Sequence, residues 1–269
     1  MGLSRIRKQA FFEAHPLCVF CGGINAAVTI EHCPPRAMFQ HRAWPEGYEF
    51  PSCFECNSGS SDDDLVVALM ARMDPFEDAG DRDGKVEGLI KQVRRQHPGM
   101  LAEMMPSPAE ARRLNREHGV QPGPGQSHQD TGVLKVPTGL DAAIKRFAAK
   151  LSKAIYYKAT NRPFPVSGEI AAHWFTNVEL LRHGFIPVFR ALQEVGGIMP
   201  EHVRSSRLLN DQFAVKWSLS DDLQVFILQT MLGNAFGTVT FGSVQAGQIS
   251  SHLESLQRDH PSQNFSLVP

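Results

Sequence analysis

Two pairs of closely spaced cysteines constrain the fold of this chain more than any other feature of its sequence. Cys18 and Cys21 form the first pair, and Cys53 and Cys56 form the second. Each Cys-x-x-Cys pair bends its backbone so that both thiolates face one tetrahedral metal ion. The spacing therefore predicts one structural zinc site with four cysteine ligands. A pair of disulfides is the alternative, and it requires an oxidising compartment.

The composition limits where the protein works and what it contacts. Its 269 residues suit one large domain or two, and a hydrophobic fraction of 42% supports a buried core. The net charge is −1, so any binding of nucleic acid has to be local. No apolar run reaches the roughly eighteen residues of a membrane span, and no apolar signal segment follows the basic N-terminus. The chain is predicted to be cytoplasmic and free of membrane contact, with the fifth cysteine, Cys33, as a buried thiol.

Three polar residues inside and just after the cysteine pairs indicate a second, reactive site. Four thiolates close the zinc coordination sphere, so that ion cannot bind a reactive water. Glu31 and Asn57 offer oxygen donors of the kind that Mg²⁺ or Mn²⁺ prefers. His32 can take a proton from water near neutral pH, although adjacent side chains on a strand point to opposite faces. These residues predict hydrolysis of a phosphodiester, and the alternative for His32 is an ordinary core histidine.

The order Cys-x-x-Cys, Glu-His-x-x-Pro and Cys-x-x-Cys-Asn resembles the HNH, or ββα-metal, endonuclease family. It is most similar to the zinc-clamped branch that includes phage junction-resolving endonucleases. The resemblance implies a ββα-metal, treble-clef zinc module in residues 1–75, in which Glu31 and Asn57 hold the catalytic ion and His32 activates water. One position departs from the pattern, because Tyr48 stands where the family has the middle Asn that helps to hold the histidine loop.

Three further features have both a functional and a structural explanation. The Arg36 guanidinium could hold the scissile phosphate, or Arg36 could be a plain surface residue. Asp62–Asp64 could add a metal ligand, although the helix dipole also explains acids in the first turn of a helix. Arg146, Lys150 and Lys153 recur on one face of an expected helix, where they could follow a phosphate backbone or form a solvated face.

The rest of the chain divides into a connector, a linker and a larger region. Residues 76–120 are predicted to be a helical connector, and residues 121–131, rich in Gly, Pro, Ser and Gln, a linker. Residues 132–269 are predicted to be an α+β domain that selects substrate or partner and contains an antiparallel β-meander. The strand ahead of the meander is expected at residues 133–136, the helices at 141–158, 168–183 and 186–195, and the meander strands at 213–219, 223–232 and 236–241.

The sequence as a whole predicts an α+β protein that is a metal-dependent HNH endonuclease. By the family resemblance, the expected cofactors are a structural Zn²⁺ and a catalytic Mg²⁺ or Mn²⁺. The expected partner is double-stranded DNA, with RNA and branched DNA left open, and a homodimer would suit a cut in both strands. One alternative is a non-catalytic treble-clef zinc module that binds nucleic acid or protein, which Tyr48 and the near-neutral charge favour. Another is that residues 132–269 sense a ligand that switches the nuclease on.

Overall fold

The computed structural model describes residues 3–73, 81–176, 197–251, 253 and 265–268. It combines helices with an antiparallel sheet, which confirms the predicted α+β class. The helices are α1 (Leu3–Ala14), α2 (Phe54–Gly59), α3 (Ser61–Arg72), α4 (Val86–Gln96), α5 (Met100–Met104), α6 (Pro108–His118) and α7 (Thr138–Thr160). The strands are β1 (Thr29–His32), β2 (Glu49–Ser52), β3 (Glu169–Thr176), β4 (Val203–Arg204), β5 (Arg207–Leu208), β6 (Phe213–Leu219), β7 (Val225–Leu232), β8 (Phe236–Ser243) and β9 (Ser266–Val268). None of the described helices has the length and hydrophobicity needed to cross a bilayer.

The N-terminal part places a β-hairpin directly before a helix. β1 and β2 pair antiparallel, with His32 opposite Glu49. The chain then enters α2, where Cys53 is the N-cap residue and its Sγ accepts a hydrogen bond from the Cys56 N–H at 3.4 Å. The second cysteine pair is therefore held by the first turn of a helix that follows the hairpin without a loop.

A five-stranded antiparallel sheet forms most of the C-terminal part, in the order β6-β7-β8-β3-β9. β6, β7 and β8 are the meander that the sequence predicts. The helix predicted at residues 168–183 is wrong over residues 169–176, which form β3 between β8 and β9. The remainder of that helix, and the one predicted at 186–195, lie outside the described residues.

The sequence predicts a helix at β3 because its residues do not show the alternation expected of a strand, and the structure explains this, since both faces of β3 are covered. Ile170 and Trp174 pack into the large core, whereas Ala171 and Phe175 pack into a second cluster on the other face of the sheet. An antiparallel strand with one wet face alternates polar and apolar residues, and β3 lacks that alternation. The residues that bury β3 come from distant parts of the chain, so the sequence of the strand alone does not reveal its burial.

The segment between α6 and α7 has no regular structure. The strand predicted at residues 133–136 is wrong. Within the described structure this segment makes one backbone hydrogen bond, from the Lys135 N–H to the carbonyl of Met104 at 2.8 Å. The buried Asn115 side chain of α6 donates to the carbonyl of His128 and to the hydroxyl of Thr131, each at 2.9 Å. A segment with the composition of a linker is thus fastened to α6.

One hydrophobic core joins the cysteine-containing part to the sheet, and α7 packs against both. Phe147 and Leu151 of α7 are fully buried in it. The basic stripe of α7 faces α3: the Arg146 guanidinium donates twice to the Asp63 carboxylate, at 2.6 and 2.7 Å, and Lys150 is buried. Both basic residues therefore form ion pairs with acidic side chains of α3, although the Arg146 side chain is still 51% exposed.

A buried histidine makes the stability of this fold sensitive to pH. His202 is 1% exposed, and its ring lies against the rings of Tyr48 and Phe213. Neither of its ring nitrogens has a hydrogen-bond partner within the described residues. Burial, together with the positive charge of Lys158, lowers the pKa of His202 from 6.5 to about 4.

We expect His202 to cause a loss of stability in mild acid. The unfolded chain takes up a proton near pH 6.5, and the folded chain does not until about pH 4, so stability is lost as the pH falls through this window. The contribution to the unfolding free energy is about 2 kcal/mol smaller at about pH 5 than at about pH 7.5. His202→Leu should remove that part of the pH dependence in urea unfolding. An unchanged difference between the two pH values would exclude His202 as its source.

Candidate metal centre and active site

The four paired cysteines come together in one cluster. Their sulfur atoms lie within 4.8 Å of one another, and all four are free thiols. Tetrahedral zinc with Zn–S bonds of about 2.3 Å needs its sulfurs about 3.8 Å apart, which this cluster allows. The prediction that these cysteines can hold a metal ion such as zinc is confirmed.

Polar groups around the cluster suit the negative charge that four thiolates carry. The Asn25 N–H donates to Cys21 Sγ at 3.4 Å, and its Nδ2 donates to Cys53 Sγ at 3.7 Å. The half-buried Lys153 of α7 donates to the carbonyl of Phe20 at 3.5 Å, close enough for its charge to interact with the cysteine thiolates. Such hydrogen bonds to ligand atoms orient them and stabilise the thiolate form.

Glu31 lies in a cluster of buried charged side chains between β1, α3 and α7. Its Oε1 accepts a hydrogen bond from Lys150 Nζ at 2.7 Å, and the same ammonium donates to Asp64 Oδ2 at 2.7 Å and to Ser60 Oγ at 2.8 Å. The Glu31 side chain is 8% exposed and that of Lys150 is 10% exposed. Burial raises the pKa of both carboxyl groups, and the ammonium opposes that rise. Two carboxylates against one ammonium leave one negative charge unbalanced.

The donors of this cluster are oxygen atoms, the type of ligand that a hard divalent cation takes, and here they bind the Lys150 ammonium. Three oxygens already surround one positive charge, and carboxylate and hydroxyl oxygens are ligands that Mg²⁺ and Mn²⁺ accept. Asp64 Oδ1 is buried with no hydrogen-bond partner in the described part of the chain, so Asp64 joins Glu31 as a candidate ligand. Asn57 lies against the same face of β1, because its Nδ2 donates to Thr29 Oγ1 at 3.0 Å and residues two apart on a strand share a face. An ion at this position would take the place of the Lys150 ammonium.

His32 points to the opposite face of β1. Its Nε2 contacts Glu49 Oε1 at 3.1 Å and a guanidinium nitrogen of Arg36, and its ring lies edge-on to Trp44, with ring centroids 6.1 Å apart. Burial and the charge of Arg36 lower the pKa of His32, while Glu49 opposes this, so the imidazole is neutral at pH 7. The structure thus brings His32 and Arg36 together, and it places the two residues predicted to hold the catalytic ion on the other side of the strand.

The loop after His32 is fastened by an arginine of α3. Arg72 donates from Nε to the carbonyl of Ala37 at 3.1 Å and from a terminal nitrogen to the carbonyl of Phe39 at 2.7 Å. It also pairs with Asp83 at 2.6 Å, and the two side chains are 2% and 5% exposed. Tyr48 is buried among aromatic side chains, and its hydroxyl has no hydrogen-bond partner in the described ranges. The loop is therefore held by Arg72, without a hydrogen bond from the side chain at position 48.

Sequence reasoning missed several residues that this site brings together. Lys150 and Glu31 are 119 residues apart, and the only signal for the lysine was its place in the basic stripe of α7. Arg72 and Asp83 belong to no motif, and neither does Arg204, which reaches the His32 face of the hairpin from β4. These residues could be found only by knowing how the C-terminal part packs on the hairpin.

No model of a known protein family, no curated protein and no solved structure matches this chain. The resemblance to HNH endonucleases therefore depends on the motif in the first quarter of the sequence and on the chemistry of the site.

Proposed function

We propose that the protein is a metal-dependent endonuclease of the HNH type that hydrolyses phosphodiester bonds of DNA. The observation that carries the proposal is the position lined by oxygens of Glu31, Ser60 and Asp64, which already surround one cation. This position lies beside the β1–β2 hairpin and the helix that the cysteine cluster holds. His32, which follows Glu31 on β1, is a neutral histidine.

Each residue of the site has a role in the proposed reaction. His32 takes a proton from the attacking water, since its imidazole is neutral at pH 7. Glu31 and Asn57 hold the catalytic Mg²⁺ or Mn²⁺, with Asp64 as a further ligand. Arg36, exposed and in contact with His32, holds the phosphate. The ion, when bound, supplies polarisation of the phosphate and stabilises the leaving oxygen.

The proposed reaction requires two local rearrangements of the described arrangement. Glu31 has to exchange the ammonium of Lys150 for the ion. His32, on the opposite face of β1, has to turn toward the same phosphate. His32 is the last residue of β1, and its side chain is 19% exposed. The chain after it stays fastened, because the Cys33 N–H donates to the carbonyl of Tyr48 at 3.3 Å, so the rearrangement has to come from the His32 side chain.

The proposed substrate is double-stranded DNA, and a two-fold homodimer would place one site on each strand. The proposed compartment is the cytoplasm, where a zinc-bound set of reduced cysteines is stable.

Cleavage of supercoiled plasmid by the full chain, with Mg²⁺ or Mn²⁺ added, tests this function. We expect nicked and linear DNA from the wild type. His32→Ala should lower the rate at least about a hundredfold, because a positioned general base contributes about 10²- to 10⁴-fold. Bound zinc, measured in both proteins, should be the same.

A neighbouring histidine provides the matched control. His41 is exposed in the loop that follows the site and has a left-handed backbone (φ 55°), which asparagine tolerates. His41→Asn should cut at the wild-type rate. Equal rates for the wild type and His32→Ala would contradict the role given to His32, and a zinc-loaded wild type that leaves all DNA intact would contradict the nuclease.

A second candidate is a zinc module that binds nucleic acid without cutting it. The separation of Glu31 and His32 onto opposite faces of β1, with Lys150 engaging the carboxylate, favours this function. It predicts that the wild type and His32→Ala bind DNA equally well and that neither nicks it.

A further inference from the structure

A short hairpin from the C-terminal part lies beside the proposed active site. β4 and β5 place Arg204 opposite Arg207. The Glu46 N–H donates to the carbonyl of Val203 at 2.9 Å, and the Ser205 N–H donates to the Glu46 carboxylate at 2.9 Å. These bonds fasten the hairpin to the segment that precedes β2.

Trp44 connects this hairpin to the histidine. Cζ of Arg204 lies 3.7 Å from the centroid of the Trp44 ring, and Cζ of Arg36 lies 4.1 Å from it. His32 meets the same ring edge-on. Arg204 therefore belongs to the same cluster as His32 and Arg36.

The guanidinium of Arg204 is held in place while its hydrogen-bond donors stay available. A guanidinium stacked on an indole uses its flat face, and its N–H donors remain in its plane, pointing away from the ring. Within the described residues Arg204 makes no side-chain hydrogen bond and no ion pair. A planar group with open donors in a fixed orientation matches the two oxygens of a phosphate.

Two acidic groups near the hairpin are already engaged. Glu46 accepts the hydrogen bond from the Ser205 N–H, and Glu49 contacts His32 and Arg36. Across the described ranges, no carboxylate pairs with Arg204 or with the exposed Arg207. The hairpin thus presents, beside the histidine, two guanidinium groups that form no ion pair within the described residues.

We propose that Arg204 and Arg207 bind backbone phosphates of the nucleic-acid substrate, with Arg204 as a positioning residue that places one phosphate next to His32. The proposal rests on the proposed nuclease function and gives the β4–β5 hairpin the task of holding the substrate. Contacts to phosphates bind all sequences alike, so the hairpin contributes affinity and register and no base specificity.

Salt-dependent binding of a labelled DNA duplex tests this proposal without any cutting. The parent is His32→Ala in the full chain, without added divalent ion, into which Arg204→Ala, Arg207→Ala or Arg112→Ala is introduced. Arg112 is an exposed arginine on α6 and serves as the control. Each hairpin substitution should weaken binding about fivefold and reduce the slope of log affinity against log salt by about 0.9, because one phosphate contact is lost. Arg112→Ala should match the parent.

The variants also separate positioning from folding. Arg207 touches no aromatic ring in the described structure, so Arg207→Ala should keep the parent's melting temperature and still show the reduced slope. In the protein that retains His32, Arg207→Ala should raise KM and leave kcat unchanged. If the parent binds DNA and both hairpin variants keep its affinity and slope, the hairpin assignment is wrong while the nuclease stands. If the parent binds no DNA at any salt concentration, both proposals fail.

Discussion

Cys53→Ser should unfold the N-terminal part of the chain as well as release its zinc. A structural zinc site of four cysteines contributes about 10–16 kcal/mol of apparent binding free energy, as much as the whole stability of a typical domain. Cys53 is 2% exposed and begins α2, while Val19 and Phe50 beside the cluster are buried in the core that continues into the sheet. With three thiols left, the ion that joins all four sulfurs is lost, and the two loops keep only backbone hydrogen bonds such as that from the Val19 N–H to the carbonyl of Pro51. Zinc content per chain and the thermal unfolding profile measure the two effects.

The remaining cysteine of the chain provides the control for this prediction. Cys33 is fully buried, lies outside the cluster of four sulfurs, and burial raises the pKa of its thiol, so it stays protonated. Cys33→Ala should keep about one zinc per chain and lose only the small packing term of a missing sulfur. A Cys53→Ser protein that keeps its zinc and its unfolding profile would show that the cluster is not a structural metal site.

Those parts of the fold that depend on near neighbours could be predicted from the sequence. The cysteine spacing predicts the cluster that the structure contains. The meander strands carry β-branched and aromatic residues between turn signals, and they pair as expected. The spacing within each cysteine pair is local, and the contacts of the meander lie in adjacent hairpin strands.

The parts that depend on distant segments could not be predicted. β3 is covered on both faces by two separate clusters, so its sequence lacks the alternation of polar and apolar residues that indicates a strand with one wet face. The charged cluster of Glu31 depends on the packing of α7 against α3, which brings Lys150 to a residue 119 positions earlier. The two faces of β1 were expected from strand geometry, but the residues that occupy each face came from elsewhere in the chain.

Tyr48 illustrates how such contacts change the interpretation of a motif. The missing Asn counts against a nuclease when only the motif is considered. In the structure, Arg72 supplies hydrogen bonds to the carbonyls of Ala37 and Phe39 in the histidine loop, and Asp83 neutralises its charge. The loop is therefore fixed by a buried ion pair, and position 48 is free to pack into the core.

Lys150→Met should destabilise the protein in a way that a divalent ion reverses. Removing the ammonium leaves Glu31 and Asp64, each nearly buried, without the cation that both contact at 2.7 Å. Breaking a buried ion pair on one side is expected to lower the unfolding free energy by about 3–5 kcal/mol. Mg²⁺ or Mn²⁺ at about a hundred times its dissociation constant would return about 2.7 kcal/mol. Thermal unfolding with and without the ion measures both changes.

An ion pair at the start of the same helix provides the control. Lys145 pairs with Asp141 at 3.0 Å, and that carboxylate is 38% exposed, so Lys145→Met should change stability by about 1 kcal/mol or less, with or without the ion. The wild type should respond to the ion less than Lys150→Met does, because the ammonium competes for the same oxygens. If the ion leaves the stability of Lys150→Met unchanged, Glu31 and Asp64 do not form a divalent-ion site. The proposed nuclease would then lack its catalytic ion, and the non-cutting zinc module would be the better account of this chain.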